Sequence, residues 1–249
     1  MVRVQKVFYL IKVLFGWCLL LFLIHTPISA FSEEFNSGYS DSSYWEPAPN
    51  LGSISFTNEK IALLRSDARS TSFPYIYNVK DIYPASGDFT VDIAFNYLNT
   101  GNYGDGIVIS KSLPIDNSDI SSEEVFFKIW QDSPLKLRGV SHVCPDINAN
   151  CDRLQPNRFF LTENIDLNSH VVRITYSDTG VYEVFVDDLT SPLFTSVSNQ
   201  ERPSKILLGN SVHMGNTDNW SSFEIDYVRV TSGIGGGGYK EGENCNKGS

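Results

Sequence analysis

From Gly52 onward, apolar residues recur at every second position in short runs, the spacing of strands with one buried face. Ile54 and Phe56 alternate with Ser and Thr, and 61–64 and 73–79 follow. The clearest run is 88–96, with Phe89, Val91, Ile93 and Phe95 on one side and Thr90, Asp92, Ala94 and Asn96 on the other. In 124–130, Val125, Phe127 and Ile129 share a face, which leaves Phe126, Lys128 and Trp130 on the opposite one. Residues 170–176 and 181–186 flank Ser177-Asp178-Thr179-Gly180 and read as a hairpin. Further strands fall at 31–36, 107–109, 135–140, 159–161, 206–208 and 223–230, with turn-rich loops between them. No long stretch carries a helical period with caps, so the pattern predicts an all-β sandwich.

The run 223–230 has an unusual register. Strict alternation puts Asp226 in phase with Val228 and Val230, on the core face. A carboxylate there must be paired, hydrogen-bonded at the rim, or bound to a cation.

Ile225-Asp226-Tyr227-Val228-Arg229-Val230 resembles the closing strand of the concanavalin A-like lectin/glucanase superfamily. The hairpin VVRITYSDTGVYEVFVDD resembles a central pair seen in its laminin G-like and pentraxin-like domains, matched by His170, Arg173, Tyr182, Val184, Val186 and Asp187. Ile206-Leu207-Leu208-Gly209 follows in the same order, so the resemblance spans 31–231. It implies a two-sheet antiparallel jelly-roll β-sandwich. It also implies a structural Ca²⁺ between the first and last strands, held by Glu34 and Asp226 with Glu33 as a further candidate. Without a metal, Asp226 would accept hydrogen bonds from loop amides or a serine.

Composition narrows the setting. Arg3 and Lys6 precede an apolar run broken only by Lys12, and Pro27-Ile28-Ser29-Ala30 offers a cleavage point, so 1–30 reads as a signal peptide. An uncleaved anchor is the rival, though 13–24 is short for a span. Cleavage removes three basic residues and no acid, leaving 16 basic against 29 acidic residues, a net charge of −13. That balance argues against nucleic acid and anionic membrane surfaces, and no stable membrane insertion is expected after cleavage. Cys144 and Cys151 share a polar loop, and a secreted setting favours joining them in a disulfide. Cys245 is then left over in 232–249, a glycine-rich tail or linker that could join another chain or module.

Family 16-type glucanases of the superfamily use an E-x-D-x-x-E strand to set two carboxylates across a cleft. The nearest match, Glu224-Ile225-Asp226-Tyr227-Val228-Arg229, has arginine in place of the third carboxylate and lies in the closing strand. The Gln-x-His pair of related polysaccharide lyases is also missing. The resulting expectation is a secreted carbohydrate-binding or adhesion-type domain acting on a polysaccharide or glycoconjugate. A divergent glycoside hydrolase or lyase and a structural protein-binding surface domain are the alternatives. Trp130 and Phe126 are the candidate sugar platforms, with Tyr103, Asp92 and Asn96 bordering the same groove. Arg173 and Glu183 read as a cross-strand ion pair. Asn219-Trp220-Ser221 is a glycosylation sequon.

Overall fold

The computed structural model describes residues 29–35, 44–47, 53–57, 60–64, 75–101, 103–112, 125–141, 158–209 and 220–233. Among these residues there are sixteen strands and no helix, arranged in two eight-stranded sheets. The first sheet runs β13 (Phe194–Thr195), β12 (Tyr182–Val186), β11 (His170–Tyr176), β6 (Phe89–Tyr97), β16 (Phe223–Ser232), β4 (Lys60–Leu64) and β3 (Ser53–Thr57). β1 (Ser29–Glu33) joins it on β16, beyond the end of β4. The second sheet runs β10 (Arg158–Asn164), β9 (Lys136–Ser141), β8 (Val125–Ser133), β7 (Tyr103–Ser110), β14 (Lys205–Leu208), β5 (Ile76–Asn78) and β2 (Trp45–Pro47). Every pairing is antiparallel except that of β15 (Trp220–Ser221), which lies parallel to the start of β7. This is the expected jelly-roll sandwich.

The alternation read from the sequence builds the core. Phe89, Val91, Ile93, Phe95, Val172, Ile174, Val184, Val228 and Val230 from the first sheet meet Ile107, Ile109, Phe127, Ile129, Ile206 and Leu208 from the second. Tyr182 bridges the sheets, its ring 4.8 Å from Tyr176 and 5.1 Å from Phe127, while its hydroxyl donates to Glu201 O. Burying each such side chain contributes about 1.5–3 kcal/mol.

Register shifts break the alternation at six places in the described residues, among them Asp226 against β6, Asp105 against β8, and Phe126 against β7. Each inserts one residue that the facing strand does not match. Two sequence expectations fall with them. Asp226 is the extra residue between Ile225 and Tyr227, so Ile225 and Val228 both enter the core while Asp226 stays half-exposed. Phe126 is the extra residue between Val125 and Phe127; it turns into the core beside Tyr182, and Val125 packs with Val108, Leu207 and Tyr75 instead.

The proposed Arg173–Glu183 pair is also corrected. Arg173 faces Asp92 across β6 and forms a bidentate ion pair with it, at 2.7 and 2.8 Å. Glu183 accepts instead from the Thr175 hydroxyl at 3.4 Å. The Cys144–Cys151 disulfide is likewise not sustained: no disulfide bond is present among the described residues, and both cysteines, like Cys245 and most of the tail, lie outside them. β1 begins at Ser29, two residues before the expected cleavage point, and Phe31, Ser32 and Glu33 carry on its pairing with β16.

Candidate functional site

The two sheets divide the sequence-derived site residues between them. Asp92 and Asn96 lie on the outer face of the first sheet, where Asp92 holds Arg173 and Asn96 accepts from Lys60 Nζ at 3.2 Å. Trp130 lies on the outer face of the second sheet, a full sandwich thickness away, and Tyr103 starts β7 in that same sheet. The expected single groove therefore does not form from these residues. Trp130 faces outward as read, yet it is only 5 % exposed and Phe126 belongs to the core, so neither presents an open stacking face.

The structure gathers a different set at one end of the second sheet. β7 enters through Tyr103-Gly104-Asp105-Gly106, with β15 beside its first two residues. Gly104 pairs with Gln131 and Gly106 with Trp130, leaving Asp105 on the bulge. Trp130 then pairs with Arg138, which binds Asp132 at 2.9 Å. β14 closes the other flank, where the Gly209 amide donates to Gly106 O at 2.7 Å. Gly106 has to be glycine, because a Cβ there would stand 1.8 Å from the Ile129 carbonyl oxygen. Alternation had no means of locating Asp105 or Arg138. The Gly-Asp-Gly triplet, glycines on either side of an acid inside a strand, was the available signal.

Two carboxylates of this sheet with described side chains do not make a glycosidase pair: Asp132, tied to Arg138, and Glu46 on β2, which accepts from the Tyr77 hydroxyl at 2.8 Å. Four strand spacings separate β2 from β8, or about 19 Å, against roughly 5–9.5 Å for hydrolytic carboxylates.

The acidic rim exists, but its residues do not fit a calcium ion. β1 and β16 meet as expected, with Glu33 opposite Val228. Glu34 accepts from Arg229 Nη2 at 2.6 Å, and that guanidinium also stacks on Tyr227 at 4.0 Å. Glu33 accepts the Phe35 amide at 3.0 Å, and Phe35 sits at φ +48°. Among the described residues, no three His, Cys, Asp or Glu side chains converge on a metal position.

A second polar cluster closes the first sheet near the β8–β9 turn. His170 Nδ1 lies 2.8 Å from Asp187 Oδ2, and Nε2 lies 3.2 Å from Asp166 Oδ1. The Asp187 contact, opposed by burial and helped by both acids' charge, raises the imidazole pKa above its ordinary value. Burial pushes the Asp187 carboxyl up, but the bonds from His170 and the Val171 amide outweigh it and hold it below the usual range. No nucleophile adjoins the pair among its described partners.

Neither a family model nor a curated protein matches the chain. Solved structures do. The carbohydrate recognition domain of Emp47p is 17% identical with a TM-score of 0.56, covering 84% of this chain and 97% of that one. The exoplasmic/lumenal domain of VIP36, in a Ca²⁺/Man3GlcNAc-bound form, is 13% identical with a TM-score of 0.53, covering 83% and 90%. The endo-1,3-beta-glucanase from Streptomyces sioyaensis is 12% identical with a TM-score of 0.52, covering 82% and 95%. Emp46p, similar to the same extent, has been solved in potassium-bound and metal-free forms. At these identities the likeness is one of fold, and that fold carries both carbohydrate-binding domains and glucanases.

Proposed function

From its concanavalin A-like jelly roll, we propose that the protein is a carbohydrate-binding domain without hydrolytic activity, working in the secretory pathway or outside the cell. The observation carrying this reading is the end of the second sheet, where the strands that carry the Asp132–Arg138 ion pair adjoin the β7 bulge at Asp105. A carboxylate accepts paired sugar hydroxyls, and a guanidinium donates to ring and hydroxyl oxygens. The leader and the acidic charge agree with such a setting.

The test is isothermal calorimetry of the mature protein with Man3GlcNAc and with a linear β-1,3-glucan, alongside a reducing-end assay. Saturable binding that is weakened at least tenfold by Asp105→Asn, with no release of reducing ends, supports the proposal. Depolymerisation of the glucan would replace it with the hydrolase reading.

A further inference from the structure

We propose that His170 makes ligand binding at this end of the second sheet tighter in mildly acidic solution, by changing which groups of Asp166 it holds. This rests on the carbohydrate-binding reading above.

The ring is 8 % exposed at the first position of β11, with Phe95 of β6 packed 6.0 Å away. The ionisable groups acting on it are Asp187, at the end of β12, and Asp166, in the turn before β11, and both are acids. Nδ1 donates to Asp187 in either protonation state, and Val171 N–H fixes the other Asp187 oxygen at 3.0 Å. Nε2 lies 3.3 Å from the Asp166 amide nitrogen and also 3.3 Å from the Asp166 carbonyl oxygen. A neutral ring offers Nε2 as a lone pair and accepts the amide proton. A protonated ring carries N–H there, releases the amide, and donates to the Asp166 carbonyl or carboxylate. One proton therefore reverses the polarity of the contact.

Asp166 is linked to the site through its neighbour in the chain. Its neighbour Ile165 is buried, and the Ile165 amide donates to Leu135 O at 2.9 Å. Leu135 is the second residue of the two-residue Pro134-Leu135 turn between β8 and β9, at φ +55°, a conformation unfavourable for a non-glycine residue. The turn is held in place by this contact from the 165–169 segment. Beyond it lie the rungs Gln131–Leu137 and Trp130–Arg138 and the Asp132–Arg138 ion pair. Charging His170 ties Asp166 down, fastens Ile165 to Leu135, and steadies the hairpin that presents Arg138. Losing the proton replaces a charge-assisted contact with a neutral one and loosens the turn.

The experiment measures hydrogen exchange at the Ile165 amide at pH 5.5 and 8, corrected for intrinsic chemistry, with calorimetry of Man3GlcNAc at the same two values. Protection and affinity should both be about fivefold greater at pH 5.5, within the range of ordinary site coupling. His170→Gln, which still donates to Asp187 but does not titrate, should abolish both differences. Should that variant fold poorly, Asp166→Asn tests the same contact from an exposed position. Equal protection at the two pH values, or a difference that survives in both variants, overturns the proposal. Shifted protection with equal affinity refutes the coupling to the site. Shifted protection with no binding at either pH refutes the carbohydrate reading instead.

Discussion

Replacing Gly106 by alanine tests the bulge that shapes the candidate site. The added methyl would stand 1.8 Å from the Ile129 carbonyl oxygen and 2.8 Å from both the Ile129 carbonyl carbon and Trp130 Cα. A carbon–oxygen contact needs roughly 3.3 Å, so β7 and β8 must part by about 1.5 Å. All three obstacles are backbone, so no rotamer change relieves them. Overpacking of this kind costs about 1–3 kcal/mol. The displacement also strains the 2.7 Å bond from the Gly209 amide to Gly106 O, worth about 1 kcal/mol. A loss of about 3 kcal/mol is expected, more than a hundredfold in the unfolding constant. Urea denaturation read by tryptophan fluorescence measures it as a lower midpoint at unchanged slope. Gly87→Ala is the control: its φ is +79° with nothing within 4 Å, so it should cost only the left-handed penalty of about 1–2 kcal/mol. If Gly106→Ala proved no more damaging than Gly87→Ala, the close approach of β7 to β8 would be refuted.

Asp92→Ala should cost roughly 3 kcal/mol by stranding the nearly buried Arg173 guanidinium, and Arg173→Met in the same background should recover part of it in a double-mutant cycle. Phe126→Ala should lower stability by about 3–5 kcal/mol while leaving glycan affinity per folded molecule unchanged; a selective loss of binding would return Phe126 to the ligand face. His170, with its raised pKa, stabilises fully below the ordinary imidazole value near 6.5, and that contribution fades as pH rises through the folded-state pKa. Asp187, with its lowered pKa, contributes above the ordinary carboxylate value near 3.8 and is lost as pH falls through its folded-state pKa. Thermal melts should thus be highest between those limits, and His170→Gln should flatten only the upper limb. Calcium and EDTA should leave the melting temperature of Glu34→Gln shifted from wild type by the same amount; a calcium-dependent gap would restore Glu34 as a ligand.

Most strands were legible because a two-residue period survives wherever one face is dry. Phe89 to Phe95 and the Tyr176–Tyr182 hairpin carry that signal unbroken, and both fell on the faces read for them. A bulge erases it at a single residue, and Asp226 and Phe126 each stand on one. Asp226 looked like a core acid and Phe126 like a surface ring only because one unmatched residue reversed the count. Arg173 was misassigned for another reason: its neighbour on β12 was visible as a hairpin partner, whereas the pairing of β11 with β6 joins segments about eighty residues apart. Asp105 and Arg138 were hidden likewise, since their proximity comes from the ladder among β7, β8 and β9.

The lodging of β1 against β16 also sets the order in which the protein can be made. The strand pairing of Phe31 waits for Val230, nearly two hundred residues later in the chain. Throughout synthesis the first strand and the central β6 are both without β16, the neighbour they share. Such a long-range closure is slow and leaves apolar edges bare while it waits. Folding of the sandwich is therefore completed only after β16 has emerged, and truncation before residue 223 leaves β1 and β6 without the strand that unites them.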